Sequence, residues 1–468
     1  MTAPDERSRP AYGDGTARHG DSLARRLLAQ GSWALAGKLV AASSGLLISV
    51  LLTRLLRPTD VGAYFLALSV VTVAALAARG GLEQTVLRIV ARSLGSGRPA
   101  RARSAALRVF GIVAGTVGLT AIVLGLGGGR LLGRALFASD AMAGIGPLMG
   151  PWMAYLAFEA LLAETFRGFH DLPRASFFGG ATSRTLVVVV LLGLLARGSA
   201  VTLATVVLLT IGCGIGALLP ALGALWRTLR RLGAASAPDL SSGSILTAGW
   251  PLLVSNLSLF VVGRADLWIL GSSRPDTEVA LYGVAARLVL VVGVPLAVVN
   301  AVLPPLIGEL HVRGEIDRLE RMIRSAASVA AIPSTVLLAT FILAGGPILG
   351  LAFGSYYRLA APSLGLLSVG QLAGVWTGSC GYLLIMTGHQ RDMMWSSLVS
   401  GAVTVVGGLA TVSRLGSVGV AGAVAAGMVT QQTLMLWRAR RRCGIWTGVT
   451  PRLMGGPALR VLGLLRGG

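Results

Sequence analysis

The chain has 468 residues, of which 54% are hydrophobic and only 13% charged, and it carries a formal net charge of +22. Soluble domains hold about 25% charged residues because charge keeps their surfaces wetted, so this composition excludes a soluble enzyme and points to an integral membrane protein. The three cysteines and four histidines are scattered without metal-ligand spacing, which excludes a zinc site or a disulfide framework, and no cofactor is expected.

A helix needs roughly 20 apolar residues to cross the ~30 Å hydrocarbon core. Residues 1–22 are polar and contain no cleavable signal peptide; residues 1–24 read as a disordered cytoplasmic tail. Twelve helical spans then follow near 33–53, 61–78, 105–125, 147–164, 175–196, 200–222, 246–270, 279–303, 326–345, 363–385, 393–412 and 418–436. No ten-residue alternation of a membrane barrel appears. Between spans 2 and 3, residues 82–94 place Leu82, Val86, Ile89 and Val90 on one helical face, opposite Glu83, Arg88 and Arg92. This predicts an amphipathic helix lying on the inner leaflet.

Basic residues set the orientation. All are arginine except Lys38. With the N-terminus inside, 28 arginines fall in cytoplasmic segments, against eight outside: Arg54, Arg57, Arg130, Arg134, Arg197, Arg274, Arg358 and Arg414. The positive-inside rule then places both termini in the cytoplasm. It also accounts for the basicity, and nucleic acid is not an expected partner. The outer loops are short and leave no room for an extracellular domain.

The chain also repeats itself at an offset close to 217 residues. Ser32-Trp33 meets Gly249-Trp250, Arg57-Pro58 with Tyr64 meets Arg274-Pro275 with Tyr282, and Leu132-Gly133 with Phe137 meets Leu349-Gly350 with Phe353. Gly168 of one inner loop falls opposite Gly388, and Arg197 opposite Arg414. Leu225-Trp226-Arg227 echoes Leu436-Trp437-Arg438 at the end of each sixth span. A repeat of six spans keeps its orientation, so the halves are related by an axis along the membrane normal, and substrates of such proteins bind between halves. The expected domains are an N-lobe over 25–231, a cytoplasmic linker over 232–244, a C-lobe over 245–442 and a basic cytoplasmic tail over 443–468.

Charges inside apolar spans cost roughly 3 kcal/mol each on insertion scales and mark cavities or partners. Setting aside the outermost turn of each span, six are found: Lys38 in span 1, Glu159 in span 4, Arg184 in span 5, Arg264 and Asp266 in span 7, and Arg287 in span 8. The cationic excess suits an anionic ligand such as a phosphate, which arginine can grip with two parallel hydrogen bonds. Arg184, Arg264, Arg287 and Lys38 are therefore the candidate anion-binding residues, although Lys38 is close enough to the inner surface to snorkel. Asp266 can neutralise Arg287 across spans 7 and 8. Glu159 is either an ion-coupling site or a structural partner of Arg184. Pro251, Pro295, Pro304, Pro305 and Pro333 offer kinks in the second half.

Residues 31–66, including Thr53-Arg54-Leu55-Leu56 and Asp60-Val61-Gly62-Ala63-Tyr64, resemble the opening of the polysaccharide flippases. These are the Wzx-type members of the multidrug/oligosaccharidyl-lipid/polysaccharide exporter superfamily. Trp250-Pro251-Leu252-Leu253-Val254-Ser255-Asn256 with Arg264-Ala265-Asp266 is similar to that family's seventh span, Glu278 to Ala285 to its eighth-span entry, and Arg167-Gly168-Phe169-His170 to its inner loop after span 4. The resemblance covers roughly residues 25–440. It implies a MATE-like all-α fold of two six-helix lobes around a cationic cavity, working by alternating access in the cytoplasmic membrane. The implied substrate is a polyprenyl-pyrophosphate-linked oligosaccharide used for cell-surface polysaccharide. Its lipid tail would stay among the membrane lipids while the headgroup crosses inside the protein. Polysaccharide-assembly proteins are candidate partners, and the sequence leaves open whether they bind the arginine-rich tail. Lipid II flippases of the same superfamily usually have fourteen spans, which disfavours that branch. A multidrug or small-solute exporter, of MATE type or a major facilitator, is the alternative. The loop between spans 2 and 3 lacks the Asp-Arg pair of major facilitators, and span 1 lacks the acid of cation-coupled MATE exporters.

Overall fold

The computed structural model describes residues 36, 37, 39–232, 243, 246, 247, 249, 253, 263–300 and 303–449. The N-terminal tail, the basic tail beyond residue 449, the linker over 232–244 except residues 232 and 243, Lys38, Trp250, Pro251 and most of span 7 therefore lie outside the described residues, as do residues 301 and 302. The described residues form helices and turns with no strand among them. In chain order the helices are α1 (Leu39–Leu55), α2 (Pro58–Arg79), α3 (Leu82–Gly95), α4 (Pro99–Leu136), α5 (Gly146–Gly168), α6 (Leu172–Ala196) and α7 (Leu203–Arg231). The second half supplies α8 (Ala265–Ser273), α9 (Asp276–Val299), α10 (Leu303–Val312), α11 (Ile316–Phe353), α12 (Ser355–Thr377), α13 (Cys380–Met386) and α14 (Gln390–Cys443).

Eight of these helices are long and apolar enough to cross a membrane. One of them, α14, has 54 residues, about 80 Å if it ran straight at 1.5 Å per residue. It does not run straight. Gly416 adopts φ 53°, ψ −134°, a conformation that a side chain disfavours, and the helix folds back there. Ser400 Oγ donates to the carbonyl of Gly427 at 2.8 Å, and the Gln431 amide to Ser397 Oγ at 3.0 Å, so the two arms lie side by side as expected spans 11 and 12. With α1, α5 and the α8 end of span 7, the described residues are consistent with the twelve expected crossings.

Local chemistry places the helix ends. Pro58 and Pro99 open α2 and α4, where a missing N–H is harmless. The side chains of Ser139, Asp171 and Thr202 accept from the backbone N–H three residues on, at 3.1, 3.1 and 3.3 Å, as N-caps do. Gly80 closes α2 in the left-handed region at φ 62°.

The repeat read in the sequence is visible as repeated contacts. Arg230 stands over Trp226 at 5.0 Å, and in the second copy Arg441 stands over Trp437 at 5.2 Å. Phe137 and Phe353 are buried at equivalent turns. The halves meet along α2 and α9, which pack more closely than ordinary side chains allow. A methyl group on Gly62 would overlap the backbone carbonyl of Asp276, and one on Gly283 would overlap the Phe65 ring.

One expectation is corrected. The apolar face of α3 does not rest on lipid: Leu82, Val86 and Val90 are buried, and Gly168 of α5 lies against Val90 and Leu87. Glu83, expected on the polar face, is itself buried and pairs with Arg79 at 3.5 Å. With that pair buried, α3 packs against α4 and α5, while Arg88 and Arg92 remain exposed.

Candidate cationic site between the halves

Arg287 is carried by α9 at the contact with α2. Its guanidinium lies over the Phe65 ring of α2, 5.9 Å from the centroid, so a cation of the second half leans on an aromatic of the first. Arg264 and Arg184 both stand within electrostatic reach of Arg287. Arg287 of α9 thus feels both the cation at the start of α8 and the one on α6. Arg287 makes no ion pair with any described residue. Like charges in a medium of low dielectric repel strongly, and an arriving anion relieves that repulsion.

The first half supplies the groups that sense these cations. Tyr64 of α2 is buried, lies 5.3 Å from the Trp152 ring, and senses both Arg287 and Arg184. Tyr155 and Glu159 project from α5 one turn apart, and both sense Arg184. Arg184 is largely exposed and donates to the carbonyl of Ala41 on α1 at 3.4 Å. A bend in α6 sets this arrangement: Gly180 has φ 101°, and a methyl group there would stand 3.4 Å from both the Arg184 guanidinium and the Glu159 carboxylate.

The two acids are held by hydroxyls. Ser183 Oγ donates to Glu159 Oε1 at 2.5 Å, and no ion pair joins Glu159 to Arg184. Tyr282 OH donates to Asp266 Oδ2 at 2.6 Å, while the Leu267 N–H donates to Oδ1 at 2.8 Å. Asp266 therefore does not neutralise Arg287; its carboxylate is satisfied within α8 and by α9. Lys38 lies outside the described residues.

Sequence reasoning missed Tyr64, Phe65, Tyr155 and Tyr282. A tyrosine in an apolar span carries no distinctive signal, yet Tyr64 and Tyr282 occupy matching places in the repeat, and both stand beside the site.

The arginine-poor ends of the halves are tied together. Ser139 Oγ donates to Asp276 Oδ2 at 2.5 Å, Arg54 donates to the carbonyls of Leu351 and Ala352, and Trp268 Nε1 donates to Ser69 Oγ at 2.9 Å. Arg274 and Glu278 hold the α14 turn, through the Ser413 carbonyl at 2.6 Å and the Ser417 N–H at 3.1 Å.

The sequence profile of the family described as polysaccharide biosynthesis protein matches residues 27–311. No curated protein matches the chain. Among solved structures, an inward-facing multidrug resistance MATE family transporter of the MOP superfamily superposes with a TM-score of 0.72 at 16% identity, covering 86% of this chain and 94% of that one. The lipid II flippase MurJ in an inward closed conformation gives 0.68 at 11% identity, covering 92% and 91%. A MOP superfamily transporter from Pyrococcus furiosus gives 0.60 at 16% identity, covering 88% and 94%. These likenesses establish the fold: an all-α, MATE-like arrangement.

Proposed function

The chain belongs to the polysaccharide biosynthesis protein family, and on that premise we propose that it is a flippase. Its substrate is a polyprenyl-pyrophosphate-linked oligosaccharide, moved across the cytoplasmic membrane for cell-surface polysaccharide. The carrying observation is that Arg184 and Arg264 stand within electrostatic reach of Arg287 where the halves meet. A pyrophosphate supplies the charge and the paired oxygens that such guanidinium groups hold best.

The lobes over 25–231 and 245–442 rock about the α2–α9 contact. Opening at the arginine-rich, cytoplasmic face admits the headgroup, and separation of the Ser139–Asp276 and Arg54 contacts releases it outside. The polyprenyl chain stays among the membrane lipids throughout. Lys38 joins the anion path nearer the cytoplasm. Glu159 and Asp266, each held by a hydroxyl, are the carboxylates available for ion coupling. Polysaccharide-assembly proteins are the partners that fit this role.

The test is surface polysaccharide in cells carrying Arg184→Ala, Arg264→Ala or Arg287→Ala, with membrane-inserted protein quantified in parallel. Loss of export with wild-type protein levels is expected for each. Normal export in all three overturns the anion site, and export of a cationic drug in its place supports a multidrug exporter.

A further inference from the structure

A second polar region stands apart from the arginines, inside the second half. An open cavity of about 460 Å³ is lined by α9, α12, α13 and both arms of α14. Among the described residues none of the lining is charged; Gln371, Gln431, Gln432, Asn300, Ser379 and Tyr382 supply its polar surface. In a membrane-spanning bundle, uncombined polar groups are expensive and mark functional cavities.

The carboxamides are partly used, and what remains is a mixed set of donors and acceptors. Gln432 Oε1 accepts from Thr377 Oγ1 at 3.1 Å and from Cys380 Sγ at 3.5 Å, which leaves its NH₂ to the cavity. Gln431 donates to Ser397 Oγ and keeps its carbonyl oxygen. Asn300 Oδ1 accepts from Ser379 Oγ and keeps its NH₂. Gln371 makes no hydrogen bond to any described residue, so both ends of its amide are unspent.

The repeat makes the position informative. Gly168 and Gly388 correspond, and counting nine residues back from each sets Ser379 where the first half has Glu159. One half thus places charged groups on α5 and α6, and the other builds a neutral cavity from the equivalent of α5. Hydroxyl groups, each both donor and acceptor, match a wall of amides, and the ring of Tyr382 adds an apolar face. An anion would find no countercharge there.

We propose that the cavity lined by Gln371 and Gln432 binds the uncharged sugar portion of the translocated lipid. This rests on the flippase reading and adds a division between lobes: arginines hold the pyrophosphate, amides hold the carbohydrate.

The experiment measures binding to full-length protein in lipid nanodiscs with two probes. One is undecaprenyl pyrophosphate; the other is the same carrier bearing the repeat unit, extracted from cells in which export is blocked. Wild-type protein is expected to bind the sugar-bearing lipid more tightly. Gln371→Leu, and separately Gln432→Leu, should weaken that lipid about tenfold and leave undecaprenyl pyrophosphate unchanged. Gln371→Leu removes an unpartnered amide, so its thermal midpoint should equal or exceed that of the wild type, which separates lost binding from lost folding. Retention of the sugar preference in both variants, or equal affinity of the wild type for the two lipids, overturns the sugar site while leaving pyrophosphate binding intact. Failure of the wild type to bind either lipid overturns the flippase reading itself, and the sugar site with it.

Discussion

At the scale of single residues, the informative groups are those whose charge or hydrogen bonds conflict with an apolar surrounding. The cations were legible because an arginine in a window of Leu, Val and Ala is rare and costly. Their partners were not, since the acid facing a given cation depends on helix rotation, which spacing alone leaves open. Asp266 shows this: Tyr282, sixteen residues on, takes its carboxylate oxygen, where sequence suggested Arg287. Arg287 itself is the sharper case for mutation. Replacing it with lysine keeps the charge but removes the planar fork that, under the proposed function, grips two phosphate oxygens. Arg287→Ala should lower export on the order of ten- to a hundredfold, as expected for a lost charge-assisted hydrogen bond, with Arg287→Lys falling between it and the wild type. Export by the lysine variant at the wild-type rate, measured by flow cytometry of surface polysaccharide, would show that only net charge matters. Ser183→Ala leaves a buried oxygen of Glu159 without its donor and should cost ~1–3 kcal/mol of stability. The thermal midpoint in detergent checks this, and no change would mean that solvent already reaches the carboxylate.

At the scale of elements, hydropathy located the helices well because membrane thickness imposes their length. The turn at Arg414, Gly416 and Ser417 was readable for a local reason: an arginine and two small residues interrupt an apolar run, and Gly416 takes the backbone bend. The bend at Gly180 was invisible, since Phe177-Phe178-Gly179-Gly180 is apolar throughout and reads as uninterrupted span. The resting place of α3 was misjudged because an amphipathic stripe covers lipid and protein equally well. Gly180→Ala tests the α6 bend. A β-carbon at φ 101° costs about 1–2 kcal/mol by analogy with other left-handed positions, and here it would stand in van der Waals contact with both Arg184 and Glu159. The variant should insert normally yet lose more export than its stability loss explains. A Gly223→Ala control on α7, where a methyl group meets nothing, should behave as wild type in both assays.

For the whole molecule, the internal duplication was the strongest sign of two lobes, and it could be read without any side-chain geometry. What it left open was which ends touch. Hydrogen bonds from Ser139 to Asp276 and from Arg54 to Leu351 and Ala352 join the arginine-poor ends, and a cycle of alternating access has to break them. A covalent bridge there should arrest the cycle. The three native cysteines, Cys213, Cys380 and Cys443, are free thiols, so the bridge is built in a background where all three are serine. Cysteines at positions 139 and 276, joined by a short bis-maleimide with a reducible spacer, should stop polysaccharide export, and reduction of the spacer should restore it. Each single cysteine treated with the same reagent should export normally. Since the reagent is added to intact cells and is membrane-impermeant, bridging also reports orientation: the arginine-poor face must be the outer one to be modified at all. Efficient bridging with undiminished export would show that the halves never part at these ends, and transport would then require a path other than the one between them.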